Sequence, residues 1–430
     1  MSTNPPSVTT KAFMIGIMAI LLLIPVLLVQ MVIGDRANRR DAVVNDIAAT
    51  WGRAQQLAGP VLMVPGQRQV RQSDGSLRSQ SYVSYFLPKT LDINAGVEPQ
   101  VRSRSLYQTV VYSTPLTLSG RFDLDELARH LADDPGLMPQ KAELLMGISD
   151  MKGVQSSLAL TLDGKPQTLE PGMRSDFLGS GVAASVNLNR SGTLPFSVTV
   201  SLRGSARLSF VPVGETTKVH VASSWPSPSF DGAFLPSERQ VSGKGFSADW
   251  QVLHFNRDYP QFFEQGLYHS EGSEFGVSFL VTADSYQQAM RISKYAILVI
   301  ALTFMTFFFV EALLKSRVHP LQYLLIGLAL GIFYILLLAF SEHTGFGVAY
   351  LVASVATIGL IGSYSLAVLK SRKLALLVMG ILTLLYGYIY VILQLEDLAL
   401  LMGAMGLFAV LALVMYLTRN LDWYGLDGKA

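Results

Sequence analysis

The chain has 430 residues, 50% of them hydrophobic and only 15% charged, with no cysteine and a formal net charge of +2. Without a thiol it can form no disulfide, thiolate metal site, iron–sulfur ligation or cysteine nucleophile. So few charges predict that the apolar residues are gathered into membrane spans, and the near-zero net charge argues against an extended nucleic-acid footprint.

Uninterrupted apolar runs of about 20 residues, the length that crosses a bilayer core, occur six times. The first is Ala12–Gly34. The other five are Tyr295–Leu314, Leu321–Phe340, Gly347–Leu369, Leu374–Leu393 and Asp397–Leu417. Ala12–Ile33 carries no charge and no small-x-small cleavage site follows it before Asp35, so it is expected to remain as an anchor rather than be removed as a signal peptide. Residues 35–294 hold 25 Lys/Arg and 25 Asp/Glu, which leaves 8 basic and 6 acidic residues for the rest of the chain. The expected domains are therefore a first span (1–34), an inserted charge-balanced domain (35–294), a five-helix bundle (295–417) and a tail (418–430).

Past the first span, Val43, Ile47, Trp51 and Ala54 recur at helical spacing until Gly59-Pro60, which predicts a helix continuing out of the membrane. From Val61 the period changes to two. Alternating runs follow at Ser81–Leu87, Tyr107–Phe122, Leu158–Leu162, Phe196–Leu202, Ala206–Val213, Lys218–Ser224, Phe246–Phe255 and Phe275–Ala283. Ser73-Asp74-Gly75, Asp163-Gly164 and Arg203-Gly204-Ser205 read as hairpin corners, and Asp123–Ala132 as an isolated helix. The predicted class is a membrane protein of α+β type, six spans arranged 1+5 around a β-rich, antiparallel sandwich-like domain of one module or of two with a junction near Asp150. Ser223–Pro236 is expected to be a loop because Pro226, Pro228 and Pro236 suit no central strand. Asp284-Ser-Tyr-Gln287 resembles a helix start, and Tyr286–Leu314 is expected to run as one helix into the membrane, holding the domain rigidly at both ends.

Few motifs carry chemistry. The six histidines show no paired ligand spacing, and neither a nucleophile elbow nor a phosphate-binding loop occurs, so no metal, cofactor or catalytic residue is expected. Ser149-Asp-Met-Lys152 has the Ser-x-x-Lys spacing of penicillin-interacting enzymes, but Gly147 and Gly153 break the helix that this motif needs and its partner motifs are missing. Glu311 is the only acid within a span interior, where ionisable groups are functional candidates, though Lys315 one turn on offers an ion pair. Glu342 and His343 lie in the loop after the third span.

Several polar and aromatic segments go beyond what apolar composition produces. They are Ile24–Gln30, Trp225–Phe230 with Phe234–Pro236, Lys294–Phe304, His319–Leu325, Ser341–Phe346 and Thr418–Tyr424. Along nearly its whole length the chain resembles the CreD inner-membrane protein family, the cell envelope integrity proteins. The resemblance implies an inner-membrane protein tied to a two-component regulatory system, envelope stress, β-lactam response and tolerance to certain colicins, with no established catalytic residue. Candidate contacts are then Glu311, Glu342, His343 and, in the closing motif, Arg419, Asp422 and Trp423. The expected partners are the lipid bilayer and an envelope protein or peptidoglycan. The leading expectation is a non-enzymatic binding or structural protein, and the rival is a transporter or lipid-handling protein that works through the five-helix bundle.

Lys315 and Arg317, Lys370, Arg372 and Lys373, and Arg419 and Lys429 follow alternate spans, whereas Ser341–Phe346 and Gln394–Glu396 carry no Lys or Arg. This asymmetry predicts cytoplasmic termini and a translocated 35–294 domain, from which Arg36, Arg39 and Arg40 do not detract because long translocated domains escape the rule. A reporter fused after His343 is expected to score as outside and one fused after Arg372 as inside; the reverse pattern would overturn this orientation.

Overall fold

The structure, a computed structural model, describes residues 8–71, 73, 76–156, 158–189, 191–279, 285–314, 318–395 and 398–419. The chain divides into two compact units, Met1–Asp41 with Ala283–Ala430, and Ala42–Thr282. It opens with α1 (Val8–Leu21) and α2 (Leu23–Trp51), which together give an apolar helix of 39 residues over Phe13–Trp51. Leu22, Val26, Val29 and Ile33 form its buried stripe, at the three- and four-residue spacing of one helix face. The helix ends one residue before Gly52, which has φ +150 and whose added Cβ would stand 2.7 Å from the Arg203 carbonyl oxygen. The stop is thus Gly52, not the expected Gly59-Pro60, because the chain must turn where another backbone approaches.

The second unit is built of strands. In chain order they are β1 (Gln55–Arg71), β2 (Leu77–Phe86), β3 (Thr90–Arg104), β4 (Tyr107–Asp123), β5 (Ala142–Ile148), β6 (Ala159–Leu162), β7 (Lys165–Gln167), β8 (Glu170–Ser175) and β9 (Gly179–Val186). There follow β10 (Thr193–Ser205), β11 (Arg207–Val211), β12 (Thr216–Ser223), β13 (Pro228–Gly232), β14 (Glu238–Ser242), β15 (Gly245–Leu253), β16 (Phe262–Glu264) and β17 (Phe275–Phe279). The helix α3 (Leu124–Asp133) follows β4 directly. One sheet runs β13-β17-β11-β1-β5-β9-β8 with β2 and β16 branching from β1, and the other runs β14-β15-β12-β3-β4-β10-β6-β7. Both sheets draw strands from either side of Asp150, and all lie within one unit.

Alternation explains the packing of the second sheet. Leu91, Ile93, Ala95 and Val97 of β3, and Leu194, Phe196, Val198, Val200 and Leu202 of β10, are buried while their neighbours face outward. The first sheet reads differently. Val61 with Leu62, and Leu144 with Leu145 and Met146, are buried consecutively, as in strands covered on both faces. Phe86 of β2 meets Phe122 of β4 at 6.4 Å between ring centroids, whereas its neighbour Tyr85 turns to Phe177 at 5.8 Å and Phe263 at 5.6 Å. One hydrophobic core joins the two sheets.

Several expectations are corrected. The sandwich is mixed rather than antiparallel, because β1 pairs with β11 and β3 with β12 in parallel. Arg203-Gly204-Ser205 is no hairpin corner: β10 runs through it, the turn falls at Ala206 with φ 60, and the chain passes there from one sheet to the other. Ser223–Pro236 is not all loop. Pro228–Gly232 forms the edge strand β13, with proline as its first residue, where a missing N–H costs no ladder bond. Asp163-Gly164 does turn between β6 and β7. Asp74, Gly75 and Asp284 lie outside the described residues.

The helical unit continues with α4 (Ser285–Ser293), α5 (Ala296–Leu314), α6 (Pro320–Thr344), α7 (Phe346–Leu369), α8 (Arg372–Gln394) and α9 (Ala399–Thr418). Among the described residues four helices are long and apolar enough to cross a bilayer: Phe13–Trp51, α6, α7 and α8. A fifth candidate is the pair α4 and α5, bent by 44° at a break, so Tyr286–Leu314 is not the single helix expected. Leu401–Tyr416 of α9 is a shorter apolar helix. α6 begins cleanly because His319 caps it, its Nδ1 accepting the Leu321 N–H at 3.2 Å, with Pro320 at the first helical position. The chain is thus of α+β class, with several helices long and apolar enough to cross a membrane.

Two checks follow. Trp250 is 2% exposed, packs against the rings of Phe230 and Phe275 and donates its indole N–H to the Phe234 carbonyl at 3.2 Å; Trp250→Ala is expected to cost about 3–5 kcal/mol in denaturant unfolding of the full chain followed by β-sheet circular dichroism. At the N-cap of α3, Asp123 accepts from Lys89 Nζ at 2.9 Å and from the Glu126 N–H at 3.2 Å. The Lys89 bond and then the backbone donors hold this carboxyl below its usual range. A depressed carboxyl stabilises the fold above its unfolded pKa and loses that contribution as pH falls through the folded value. Asp123→Asn is expected to flatten the acid limb of the stability profile below about pH 4, at a cost of no more than about 1 kcal/mol because asparagine still caps.

Candidate functional site

In the helical unit the charged candidates fall at the two ends of α6. Near its start, Glu311 of α5 receives the ammonium of Lys11 from α1 and the Val318 N–H at 3.3 Å on one oxygen, and the Tyr323 hydroxyl at 3.4 Å on the other. The Lys11 and Glu311 side chains are only 17% and 14% exposed. The expected partner Lys315 lies outside the described residues; the pairing described comes from the first span. Gly327 of α6 lies beside the first span here: a Cβ added to it would stand 2.0 Å from a Leu22 methyl and 3.0 Å from the Phe304 ring, so a larger residue would push the Leu22 side chain aside.

At the other end, Glu342 lies in the last turn of α6 with its side chain 10% exposed. Tyr286 of α4 donates its hydroxyl to this carboxylate at 3.0 Å, and an Arg36 guanidinium nitrogen stands 3.8 Å away. The Arg40 guanidinium lies 5.9 Å from the Tyr286 ring centroid. His343 is exposed, since the next helical residue points about 100° away. Arg419 lies over Tyr416 at 4.1 Å, while Asp422 and Trp423 fall outside the described residues. Lys11 and Arg36 are 25 residues apart on one apolar helix, so the first span is fastened to its neighbours by an ion pair at each end. That arrangement can hold helices together.

In the β unit Ser149 directly follows β5 and its hydroxyl is spent on backbone, accepting the Gln56 N–H at 2.8 Å and donating to the Ala54 carbonyl at 3.0 Å. Lys152 is exposed in a single 3-10 turn, Met151–Gly153. Serine and lysine are thus not presented by one helix, which the Ser-x-x-Lys chemistry requires.

Two constellations in this unit were not foreseen. On the solvent face of the second sheet, register places Asn94, His220, Asp249 and Glu238 side by side across β3, β12, β15 and β14. His220 Nδ1 and Asp249 Oδ1 are 2.7 Å apart, and Asp92 and Lys218 flank them in a cleft of about 410 Å³. The outward residues of alternating strands carried the signal, but strand order alone makes neighbours of them. The second is Trp51, whose indole lies between the guanidinium groups of Arg203 at 4.4 Å and Arg102 at 4.9 Å and donates to the Tyr112 carbonyl at 3.2 Å. Arg104 pairs with Asp46 one turn and a half earlier on the same helix. Two cations on one ring and a carbonyl on its N–H fix the last turns of α2 within the β unit.

Among known proteins, the family model described as inner membrane protein CreD matches residues 7–424. The inner membrane protein CreD of Escherichia coli (strain K12) is 37% identical over 414 residues, spanning 94% of this chain and 91% of that one. Among solved structures, yeast LTA4 hydrolase in complex with bestatin matches over 51% of this chain and 35% of its own, at 11% identity with a TM-score of 0.21, and the native yeast enzyme scores the same. Likeness at that level carries no argument. The match of the family model from end to end, together with a relative aligned over nearly all of both chains, places the chain in the CreD family of inner membrane proteins.

Proposed function

We propose that this CreD-family chain is a non-enzymatic, six-span inner-membrane protein with cytoplasmic termini, whose periplasmic 35–294 region binds an envelope partner or stabilises envelope architecture. Its role is in envelope integrity, in the setting of β-lactam stress and colicin tolerance. The count of six takes the four long apolar helices, the bent pair α4 and α5, and the shorter apolar Leu401–Tyr416 as one span each. Orientation rests on the loops rich in lysine and arginine.

One observation carries the choice of the β unit as the working part. Glu311 and Glu342 of the helical unit are engaged in fastening helices, whereas the cleft around His220 and Asp249 presents carboxylates, an ammonium, an imidazole and an amide to solvent from four strands. A surface of that chemistry suits a polar partner such as an envelope protein or the peptide of peptidoglycan. The rival reading, transport or lipid handling by the bundle, would place Glu311 and Glu342 in the working part.

Two measurements separate them. With a photo-crosslinking residue in place of Lys218 in the full chain, irradiation of intact cells is expected to recover one dominant protein or peptidoglycan adduct that the same substitution at Lys165 does not give; recovery of none would count heavily against the proposal. Glu311→Gln leaves Lys11 without a counter-charge and is expected to lower stability in detergent by about 2–3 kcal/mol, and the exchange Lys11→Glu with Glu311→Lys is expected to restore most of it. If the exchanged protein recovers its stability but loses its protection of the envelope, the bundle and not the β unit performs the function.

A further inference from the structure

Halfway along the bundle helices, hydroxyl groups meet among apolar side chains. Tyr334 is the fifteenth of the 25 residues of α6 and Tyr386 the fifteenth of the 23 of α8, and each is 2% exposed. With Phe333 of α6 and Tyr350 of α7 they form a cluster of rings. The Phe333 centroid lies 5.0 Å from that of Tyr334, 5.7 Å from that of Tyr350 and 4.7 Å from that of Tyr386. The cluster joins three helices of one unit.

Its hydroxyls are unequally served. Tyr350 donates to the Tyr386 carbonyl at 2.6 Å. The Tyr386 hydroxyl is buried with no hydrogen-bond partner among the described residues, although Tyr334 and Tyr350 lie within electrostatic range of it. An unmet hydroxyl is most costly where bulk water cannot reach it, so a group in this position calls for a partner that the chain itself does not supply.

There is also room for one. Gly331 is buried in α6 one turn before Tyr334, and a Cβ built on it would meet nothing within 4 Å beyond its own helical backbone. Gly327, one turn earlier, is the opposite case, since Leu22 fills the space beside it. A buried residue with free space at its surface borders an internal cavity. α6 and α8 run the same way through the bundle, because α7 returns between them. Helical side chains lean toward their own N-terminus, which directs the Tyr334 and Tyr386 hydroxyls from the level of Phe333 toward that of Gly331.

We propose that the bundle binds an ordered water between α6 and α8, in the space beside Gly331, hydrogen-bonded to the hydroxyls of Tyr334 and Tyr386. A buried water needs two or more polar partners, which these hydroxyls supply, whereas an apolar occupant would leave the Tyr386 hydroxyl unmet. The water joins α6 to α8 at mid-depth, and the site is independent of any partner of the β unit.

The test uses the full chain in neutral detergent and reads oxygen uptake by tyrosines after millisecond hydroxyl-radical labelling, which marks a buried ring where water is bound beside it. Tyr112 of the β unit is the reference, since it is 0% exposed and gives its hydroxyl to the Arg207 carbonyl at 2.7 Å. Tyr334 and Tyr386 are expected to be labelled several-fold faster than Tyr112; rates equal to it would overturn the site. Gly331→Ala puts a methyl into the space and is expected to bring the Tyr386 rate down to that of Tyr112 without lowering the thermal midpoint. An unchanged rate in the folded Gly331→Ala protein would exclude a water from that position. Tyr386→Phe separates a satisfied hydroxyl from a bare one: it is expected to lower the midpoint by about 2–4 °C, as loss of a made hydrogen bond does, whereas a midpoint that stays or rises would show that nothing is bound there.

Discussion

A charge cannot be left alone where water is scarce, and much of the helical unit follows from how this chain meets that constraint. The carboxylates Glu311 and Glu342 lie near opposite ends of α6, each almost buried, and each is answered by the first span, through Lys11 and through Arg36. The helix that the sequence separates from its companions by the whole β unit is thereby matched to them at two levels. Between those levels Leu22 is seated against Gly327. The ion pairs set the register of the helix along its axis, and the glycine notch sets how closely it approaches.

The β unit solves a different problem. It has no cysteine, so nothing covalent closes its loops, and its stability rests on packing. Rings carry much of that packing: Trp250 with Phe230 and Phe275, and Tyr85 with Phe177 and Phe263, fill both sides of the first sheet. Burial raises the Tyr85 and Tyr112 hydroxyls above the ordinary tyrosine range, so both remain neutral hydrogen-bond partners. Arg257 is also buried, which lowers its pKa to about 10, and it gives its N–H groups to Tyr259 and Gln261 oxygens in the loop before β16 and to the Val213 carbonyl after β11.

Hydropathy made the long apolar helices readable, because twenty successive apolar residues have few other uses. Alternation likewise marked most strands, and charge asymmetry gave an orientation. What remained hidden was pairing at a distance. Lys11 and Glu311 are 300 residues apart, and the nearer Lys315 offered an equally good local rule, so no pattern in the chain could choose between them. The row Asn94, His220, Asp249 and Glu238 was present as outward residues of four strands, but the order β3-β12-β15-β14 depends on core packing. The corner at Arg203-Gly204-Ser205 misled for a similar reason: the glycine serves a close approach, its added Cβ standing 2.3 Å from the Tyr112 hydroxyl, and not a turn.

The switch at Ala206 has a temporal consequence. β1 is among the first strands to leave the ribosome, yet its parallel neighbour β11 follows about 150 residues later, and β11 is in turn edged by β17 at the end of the unit. β3 waits similarly for β12. Neither sheet can therefore be completed by a growing chain, and the local hairpin of β3 and β4 must persist with apolar edges uncovered until most of the unit has been made. Such an intermediate is long-lived and adhesive, and a chain with this order of pairing has reason to depend on chaperones on whichever side of the membrane it folds.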